Sequence, residues 1–551
     1  MEKTWLKNYP DLVPHTLVDG GLSLPDFLQE TFIKNKDKTA IVCLGNEVSY
    51  SELDRQATCF AGYLQNKLGL KQGERIAFLL PNVNQFPVAF LAAQRLGLIV
   101  VPTNPQYTSK EILFQLKDSG ARCLIVLDLL VDKVEAILAE TNVEKVIVTG
   151  IADQFPFYKA WAVALKLRYD SGAPKPMPFA ISYKKAMREG AKVPPTYPKL
   201  KSSDYAILQY TGGTTGVSKG AILSHGNLVA NILQVHHWVD PFLELGNETV
   251  LVALPTFHIF GLTVNFLTFI YRGDRMVMLP KPIPIENCVE AFAKYPISIM
   301  LGVNTLYNAL NNSKKFRDLA PRTMKFALAG GMALQEGVAK RWQEITGNRL
   351  LQGYGLTETS PVTHVMPLKD EMPFGSIGYP LSSTEAKIVD ETGEPVPYNT
   401  PGELLIKGPQ VMQGYWNRPD ETEKVKIGEW LRTGDIASVN ENGQFFIVDR
   451  KKDMILVSGF NVFPNEVEDV ISLHPKVMEV AVIGVPHKAS GEAVKAFIVA
   501  KDKTLTEREI KAHCKSQMAS YKVPRRIEFR ENLPKTNVGK ILRRELRAEM
   551  H

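Results

Sequence analysis

The sequence predicts an α/β protein in two parts: a large N-terminal domain of parallel and mixed sheets flanked by helices, ending in a β-rich subdomain, and a small α+β C-terminal domain. Three observations carry that prediction. At 551 residues the chain exceeds one ordinary core. Short apolar runs alternate with amphipathic helical patterns, as in a parallel sheet covered on both faces. The rhythm then changes twice, first to closely spaced turn signals and then to a compact module.

Taken in order, "ERIAFLL", "LIVVP", "ARCLIVL" and "EKVIVTG" within residues 74–150 read as strands, and "VAFLAAQRLG", "SKEILFQLKDSG" and "LVDKVEAILAET" as helices. Sheets of this kind place ligand loops at the carboxyl ends of their strands. Residues 151–203 break the pattern with prolines and aromatics and read as an insertion. The rhythm resumes at "DYAILQY" and continues through "ETVLVALP", "RMVMLP", "ISIMLGV" and "MKFALAGG". Around 378–450 the turn signals "ETGE", "TPGE" and "ENGQ" mark the β-rich part. The charged stretch "VDRKKD" at 448–453 sets a boundary, giving domains 1–449 and 450–551. Two such domains facing each other across a short hinge are a common seat of an active site.

Composition, with 45% hydrophobic and 22% charged residues, is that of a globular protein. The five cysteines are widely spaced and form no CxxC pair, which argues against disulfides and structural zinc and for a reducing, cytoplasmic compartment. The N-terminal segment has no apolar signal region, and the run "FPVAFLAAQRLGLIVV" is broken by Gln94 and Arg95, so a soluble protein is expected, at most peripheral on the inner face of a membrane. The net charge of +7 is local: residues 151–203 hold ten Lys or Arg against three acids. Interleaved with Phe155, Phe157, Tyr158, Trp161, Tyr169 and Phe179, these charges suit an anionic membrane surface, and a solvated loop accounts for them equally well. No nucleic-acid motif accompanies them, so nucleic acid is not an expected partner.

The segment "YTGGTTGVSKGAILSH", 210–225, is the chain's densest run of Gly, Thr and Ser. It lacks the spacing of a Walker loop and of a dinucleotide fingerprint. Gly212, Gly213 and Gly216 nevertheless permit close backbone approach, while Thr211, Thr214, Thr215 and Ser218 offer hydroxyls and Lys219 a charge, all suited to phosphate. Set between an apolar strand and the helix-like "GNLVANILQVHHW", it reads as a phosphate grip, the alternative being a flexible surface loop.

That loop resembles the phosphate loop of the acyl-activating adenylate-forming superfamily of acyl-CoA synthetases, luciferases and peptide-synthetase adenylation domains. "ALPTFHIFG", "LAGGMAL", "QGYGLTETSP", the stretch Trp430 to Glu468 and "PKTNVGKILRREL" follow in family order. Gly213, where Ser or Thr is commoner, and "DRKKDMILVSGFNVFPNEVEDV" are similar to bacterial long-chain fatty acid CoA ligases.

The resemblance implies ATP-dependent activation of a fatty acid: its carboxylate attacks the α-phosphate, and the CoA thiol then attacks the acyl-adenylate. The substrate is its own nucleophile, which fits the lack of a Ser/His/Asp or Cys/His arrangement. It further implies that the loop from Thr211 to Lys219 cradles the leaving pyrophosphate, that Glu358 and Thr211 hold Mg²⁺, and that Thr357 meets the α-phosphate. Gly330, Gly331, Gly353, Tyr354 and Gly355 form an adenine slot in this reading, with Asp435 on the ribose and Arg450 beside it. His258 takes a gating or orienting role, against the alternative of a packed core histidine. Lys540 becomes the adenylation lysine, the alternative being a solvated charge in a basic tail. Lys452 becomes the hinge of a mobile C-terminal domain, or else an exposed lysine, and Gly459 approaches the CoA pantetheine. The apolar run 259–271 lines a tail tunnel or is ordinary core. The rivals are transfer to a carrier protein, a medium-chain or aryl acid substrate, and a non-enzymatic lipid- or nucleotide-binding protein. A homodimer is left open.

Overall fold

The computed structural model describes residues 3–550 apart from 19, 156–159, 161–176, 212–217, 370, 459, 488–489 and 537–538. Its smaller N-terminal sheet runs, edge to edge, through Gly414–Tyr415, Lys219–Ser224, Tyr205–Thr211, Ile99–Pro102, Arg75–Leu79, Cys123–Leu127, Lys145–Thr149 and Ile181–Ser182. From Tyr205–Thr211 to Ile181–Ser182 the pairs are parallel. In Arg75–Leu79, Ile76 and Phe78 enter one apolar cluster and Ala77 and Leu79 another, so both faces are buried. A continuous apolar run is what such a strand requires.

The larger sheet contains a parallel run, Leu350–Gly355, Phe326–Ala329, Ile299–Gly302, Thr249–Val252, Arg275–Met278 and Thr39–Cys43. The expected β-rich subdomain is its antiparallel continuation, entered through Val362–Val365 and Ser376–Pro380 and including Gly402–Lys407, Trp430–Val439 and Phe445–Arg450. A small third sheet, built on the long hairpin Val477–His487 and Gly491–Ala500, forms the C-terminal domain with the helices Pro464–Ser472 and Glu507–Gln517. Thr506 and Glu509 start the second of these helices with reciprocal capping bonds.

Three expectations are corrected. The glycine-rich loop does not lead from strand to helix. It joins Tyr205–Thr211 to the antiparallel strand Lys219–Ser224, and the helix His225–Val239 starts only where the Ser224 hydroxyl accepts from the Asn227 N–H. The stretch "LVDKVEAILAET" forms only a short helix, Val131–Glu135, and a 3₁₀ turn, Leu138–Glu140. The insertion is not irregular throughout: Ile181–Ser182 adds to the sheet edge, and the helix Tyr183–Gly190 packs Tyr183 against Phe60. Phe157, Tyr158, Trp161 and Tyr169 lie outside the described residues; Phe179 is described and is 64% exposed.

The run after His258 is a buried π-helix, Phe260–Leu267, continued by Thr268–Tyr271. π-helical turns are rare and concentrate at functional sites.

Candidate active site

A cavity of ≈ 1510 Å³ opens where the two N-terminal sheets and the C-terminal domain meet. Thr211, Lys219, His258, Gly330, Gly331, Gly353, Tyr354, Gly355, Thr357, Glu358, Asp435, Arg450, Lys452 and Lys540 all line it, so residues more than 300 apart in sequence share one chamber. Gly212, Gly213, Thr214, Thr215, Gly216 and Gly459 lie outside the described residues.

The parallel run delivers its strand ends to this chamber. Leu350–Gly355 carries Tyr354, whose hydroxyl donates to Asp435 Oδ2 at 2.5 Å. Asp435 faces Arg450 across the strand pair, with Arg450 Nε 3.7 Å from Oδ1. Burial, then Asp435, pushes the Tyr354 phenol well above its ordinary range, so it remains a donor. Its ring rests edge-on against His364, itself packed on Phe445. An aromatic wall of mutually inclined rings results, with a carboxylate at its rim. Gly355 is obligatory here: a Cβ would lie 2.0 Å from the Pro361 carbonyl.

Beyond this strand the turn Thr357–Thr359 presents Thr357 and Glu358. Glu358 Oε1 accepts a 2.7 Å bond from the Tyr415 hydroxyl. Lys219 is not a free charge in the loop: its ammonium pairs with Glu421 and stands 5.3 Å over the Tyr415 ring. Lys219 and Lys424 hold the Glu421 carboxyl down to about 2.

His258 follows the strand end at Val252 and is half-buried. Its Nδ1 accepts from the Phe260 N–H at 3.3 Å, which leaves the proton on Nε2. Burial, then the nearby Lys540 charge, pushes its pKa down to about 4. At neutral pH it is an uncharged donor at the chamber wall.

Lys540 reaches the chamber from the C-terminal domain. Its N–H donates to Thr536 Oγ1 at 3.0 Å, and Thr305 of the larger N-terminal unit donates to the Gly539 carbonyl at 3.1 Å. Gly539 has φ +80°, and a Cβ there would stand 2.4 Å from the Thr305 hydroxyl, so only glycine permits this docking. Burial, then Arg450, with smaller contributions from Arg543 and Lys452, lowers the Lys540 ammonium to about 7 against the opposing pull of Asp435. A cation so destabilised gains from any anion placed beside it.

Sequence reasoning missed Arg543, Asp449, Tyr415 and Glu421. Arg543 bonds Glu468 at 2.7 and 3.0 Å and Asn465 at 2.6 Å, and stands 3.4 Å from the fully buried Asp449. Asp449 Oδ2 also accepts from the Asn465 N–H at 2.8 Å, so one carboxylate of the larger unit anchors two residues of the C-terminal domain. Lys452 stands exposed in the next turn, between Arg450 and an Asp453 held by Arg547.

Compared with known proteins, residues 28–416 match the AMP-binding enzyme family and residues 466–540 its C-terminal domain. The chain belongs to the AMP-binding enzyme family. Curated relatives include a long-chain-fatty-acid--CoA ligase of Escherichia coli O6:H1, 47% identical over all of this chain and 98% of its own length. One of the same name from Bacillus subtilis is 39% identical over the same shares. Among solved structures, the anthranilate CoA ligase AuaEII in complex with anthranoyl-AMP superposes with a TM-score of 0.86 at 27% identity, covering 99% of this chain and 98% of that one. ATP-bound MatB from Rhodopseudomonas palustris superposes at 0.82 and 29% identity, covering 96% and 99%. Members of this family pass through an adenylate, and the mixed α/β architecture with a small C-terminal domain is theirs.

Proposed function

We propose that the chain ligates long-chain fatty acids to CoA at the expense of ATP. The carboxylate oxygen attacks the α-phosphorus as the bond to the β-phosphate breaks, giving acyl-adenylate and pyrophosphate. The CoA thiol then adds to the activated carbonyl, loses its proton, and AMP departs. The observation that carries this reading is the convergence of Lys540, His258, Glu358 and the Tyr354–Asp435 pair on one chamber. The names and full-length coverage of the curated relatives support long-chain acids.

In this reading the Tyr354 wall and the glycines of strand Leu350–Gly355 receive adenine, and Asp435 receives the ribose. His258 donates from Nε2 to the substrate carboxylate, which is already ionised with a pKa near about 4 to 4.5 and needs no base. Lys540 regains its proton between carboxylate and α-phosphate and offsets their mutual repulsion as they approach. Glu358 and Thr211 suit Mg²⁺: a carboxylate with one oxygen already fixed and a hydroxyl are hard donors, and phosphate and water complete the usual set. Magnesium, when bound, neutralises phosphate charge.

Lys452 serves as the pivot between 1–449 and 450–551, turning Lys540 out and the CoA-facing residues in. Its exposure in a turn whose neighbours are all paired supports this. Lys452→Pro should arrest one half-reaction and leave the other measurable. Association with the inner face of a membrane is supported by Phe179 and by the exposed Lys184, Lys185 and Arg188; among the described residues no helix is long and apolar enough to cross one.

The deciding experiment measures pyrophosphate release with acids from acetate to oleate, with and without CoA. Release should rise with chain length and turn over only with CoA. A preference for acetate or aryl acids, or turnover on a carrier protein instead of CoA, would overturn the reading.

A further inference from the structure

Residues 410–418 cross between the two N-terminal sheets, and no step of the proposed reaction uses them. At one end they hold the turn that carries Glu358: the Met412 N–H donates to the Glu358 carbonyl at 2.8 Å, and Ser360 Oγ donates to the Gln410 carbonyl at 2.9 Å. At the other end they extend the phosphate-loop hairpin. Gly414 and Tyr415 pair with Ile222 and Ala221, and the Trp416 N–H donates to the Gly220 carbonyl at 2.8 Å.

Asp118 anchors the same segment from below. Its Oδ1 accepts from Arg418 at 2.8 Å, its carbonyl accepts from the Trp416 indole at 3.1 Å, and its Oδ2 accepts from Tyr210 at 2.7 Å, one residue before Thr211. The segment is therefore a strut tied to the phosphate hairpin on one side and to the Glu358 turn on the other. Tyr415 is the residue of this strut whose side chain bonds the Glu358 carboxylate.

We propose that Tyr415 is a positioning residue for the reaction: its hydroxyl holds Glu358 Oε1, turning the other oxygen toward a divalent cation on the nucleotide phosphates, and so sets that oxygen's place relative to the phosphate hairpin. This rests on the reading of Glu358 as a magnesium ligand. Outer groups that orient a metal-binding carboxylate typically alter metal affinity by roughly ten- to a hundred-fold when removed.

The test uses the full chain and α,β-methylene-ATP, which cannot release pyrophosphate. Calorimetry compares its affinity with Mg²⁺ and with EDTA, and the ratio is the enhancement due to metal. Tyr415→Phe should lose roughly ten-fold of that enhancement, keep the metal-free affinity and melt as the parent does. Glu358→Gln should lose as much, and the double variant no more than either, because both act through one carboxylate. An undiminished enhancement in Tyr415→Phe beside a loss in Glu358→Gln overturns the inference alone. An undiminished enhancement in Glu358→Gln overturns the reading beneath it as well. Equal losses with and without metal, or additive losses in the double variant, reduce Tyr415 to a structural part and also overturn it. Should Tyr415→Phe fold poorly, Asp118→Asn loosens the strut while sparing Tyr415, and should give a smaller loss in the same direction; an unchanged enhancement there counts against the proposal.

Discussion

The N-terminal unit and the C-terminal domain are held together by different chemistry from that which holds each of them internally. One apolar cluster runs from Trp5 to Phe445 and joins both large sheets, whereas the C-terminal domain keeps two clusters of its own on the two faces of its hairpin. Among the described residues no cluster spans the seam between them. There the contacts are polar: Thr305 with Gly539, Asn308 with Met478, and Asp449 with Asn465 and Arg543. Opening an apolar seam forfeits about 25 cal/mol per Å² exposed to water, while polar groups on parting find water as a new partner. The first kind of contact is permanent and the second exchangeable, which is what the proposed turn about Lys452 requires.

Four substitutions or titrations break or sharpen this contrast, the largest effect first. Phe269, fully buried in the N-terminal core, should cost about 3–5 kcal/mol as Phe269→Ala, read as a shifted denaturation midpoint of the N-terminal unit. A shift confined to the C-terminal domain would contradict the separation. Lys540→Ala should lower pyrophosphate release from fatty acid and ATP by roughly 10²–10³-fold and leave thioester formation from supplied acyl-adenylate intact. Equal loss of both would count against a lysine serving one orientation only.

Asp449→Asn should weaken docking by about 1–3 kcal/mol, because the bonds it makes to Arg543 and Asn465 lose their charge. Hydrogen exchange should then rise in Pro464–Ser472 and Arg543–Ala548 and stay constant in Thr249–Val252. The smallest effect is a proton. With its pKa lowered to about 7, Lys540 is mainly neutral in the empty site at about pH 8 and mainly charged at about pH 6. Anionic ligands raise that pKa, so joint binding of acid and nucleotide analogue should take up about one proton at the higher pH and almost none at the lower. Calorimetry in buffers of different ionisation enthalpy measures it, and Lys540→Ala should abolish it.

Legibility in the sequence tracked the range of the interaction. Strands such as Arg75–Leu79 and Cys123–Leu127 are continuous apolar runs, and their burial on both faces is a local property that the letters carry. The reversal at the glycine-rich loop is not legible, because Gly and Thr density hides it and because "AILS" belongs to a strand recognisable only by its partner, Tyr205–Thr211. Lys219 is legible as a charge beside the loop, but its pairing with Glu421 is not, because that carboxylate lies 202 residues away. Arg543 sat inside the motif "PKTNVGKILRREL" without a role, since the carboxylates that give it one come from Asp449, Asp453 and Glu468. A cue did exist: "VDRKKD" sets three cations between two carboxylates at a strand end, where opposite charges call for partners.

The π-helix Phe260–Leu267 makes the chamber wall sensitive to the number of residues in it. A helix closed by wider turns carries about one more residue per turn than an α-helix of the same span. Deleting one residue between 260 and 267 would remove the residue that the wider turns carry in excess and let the segment close as an α-helix. Phe260, which now lies against Gly330, and the following helix Thr268–Tyr271 would then keep their places while the residues between them changed faces. Substitution changes which atoms line this wall; insertion or deletion changes which residues face the chamber.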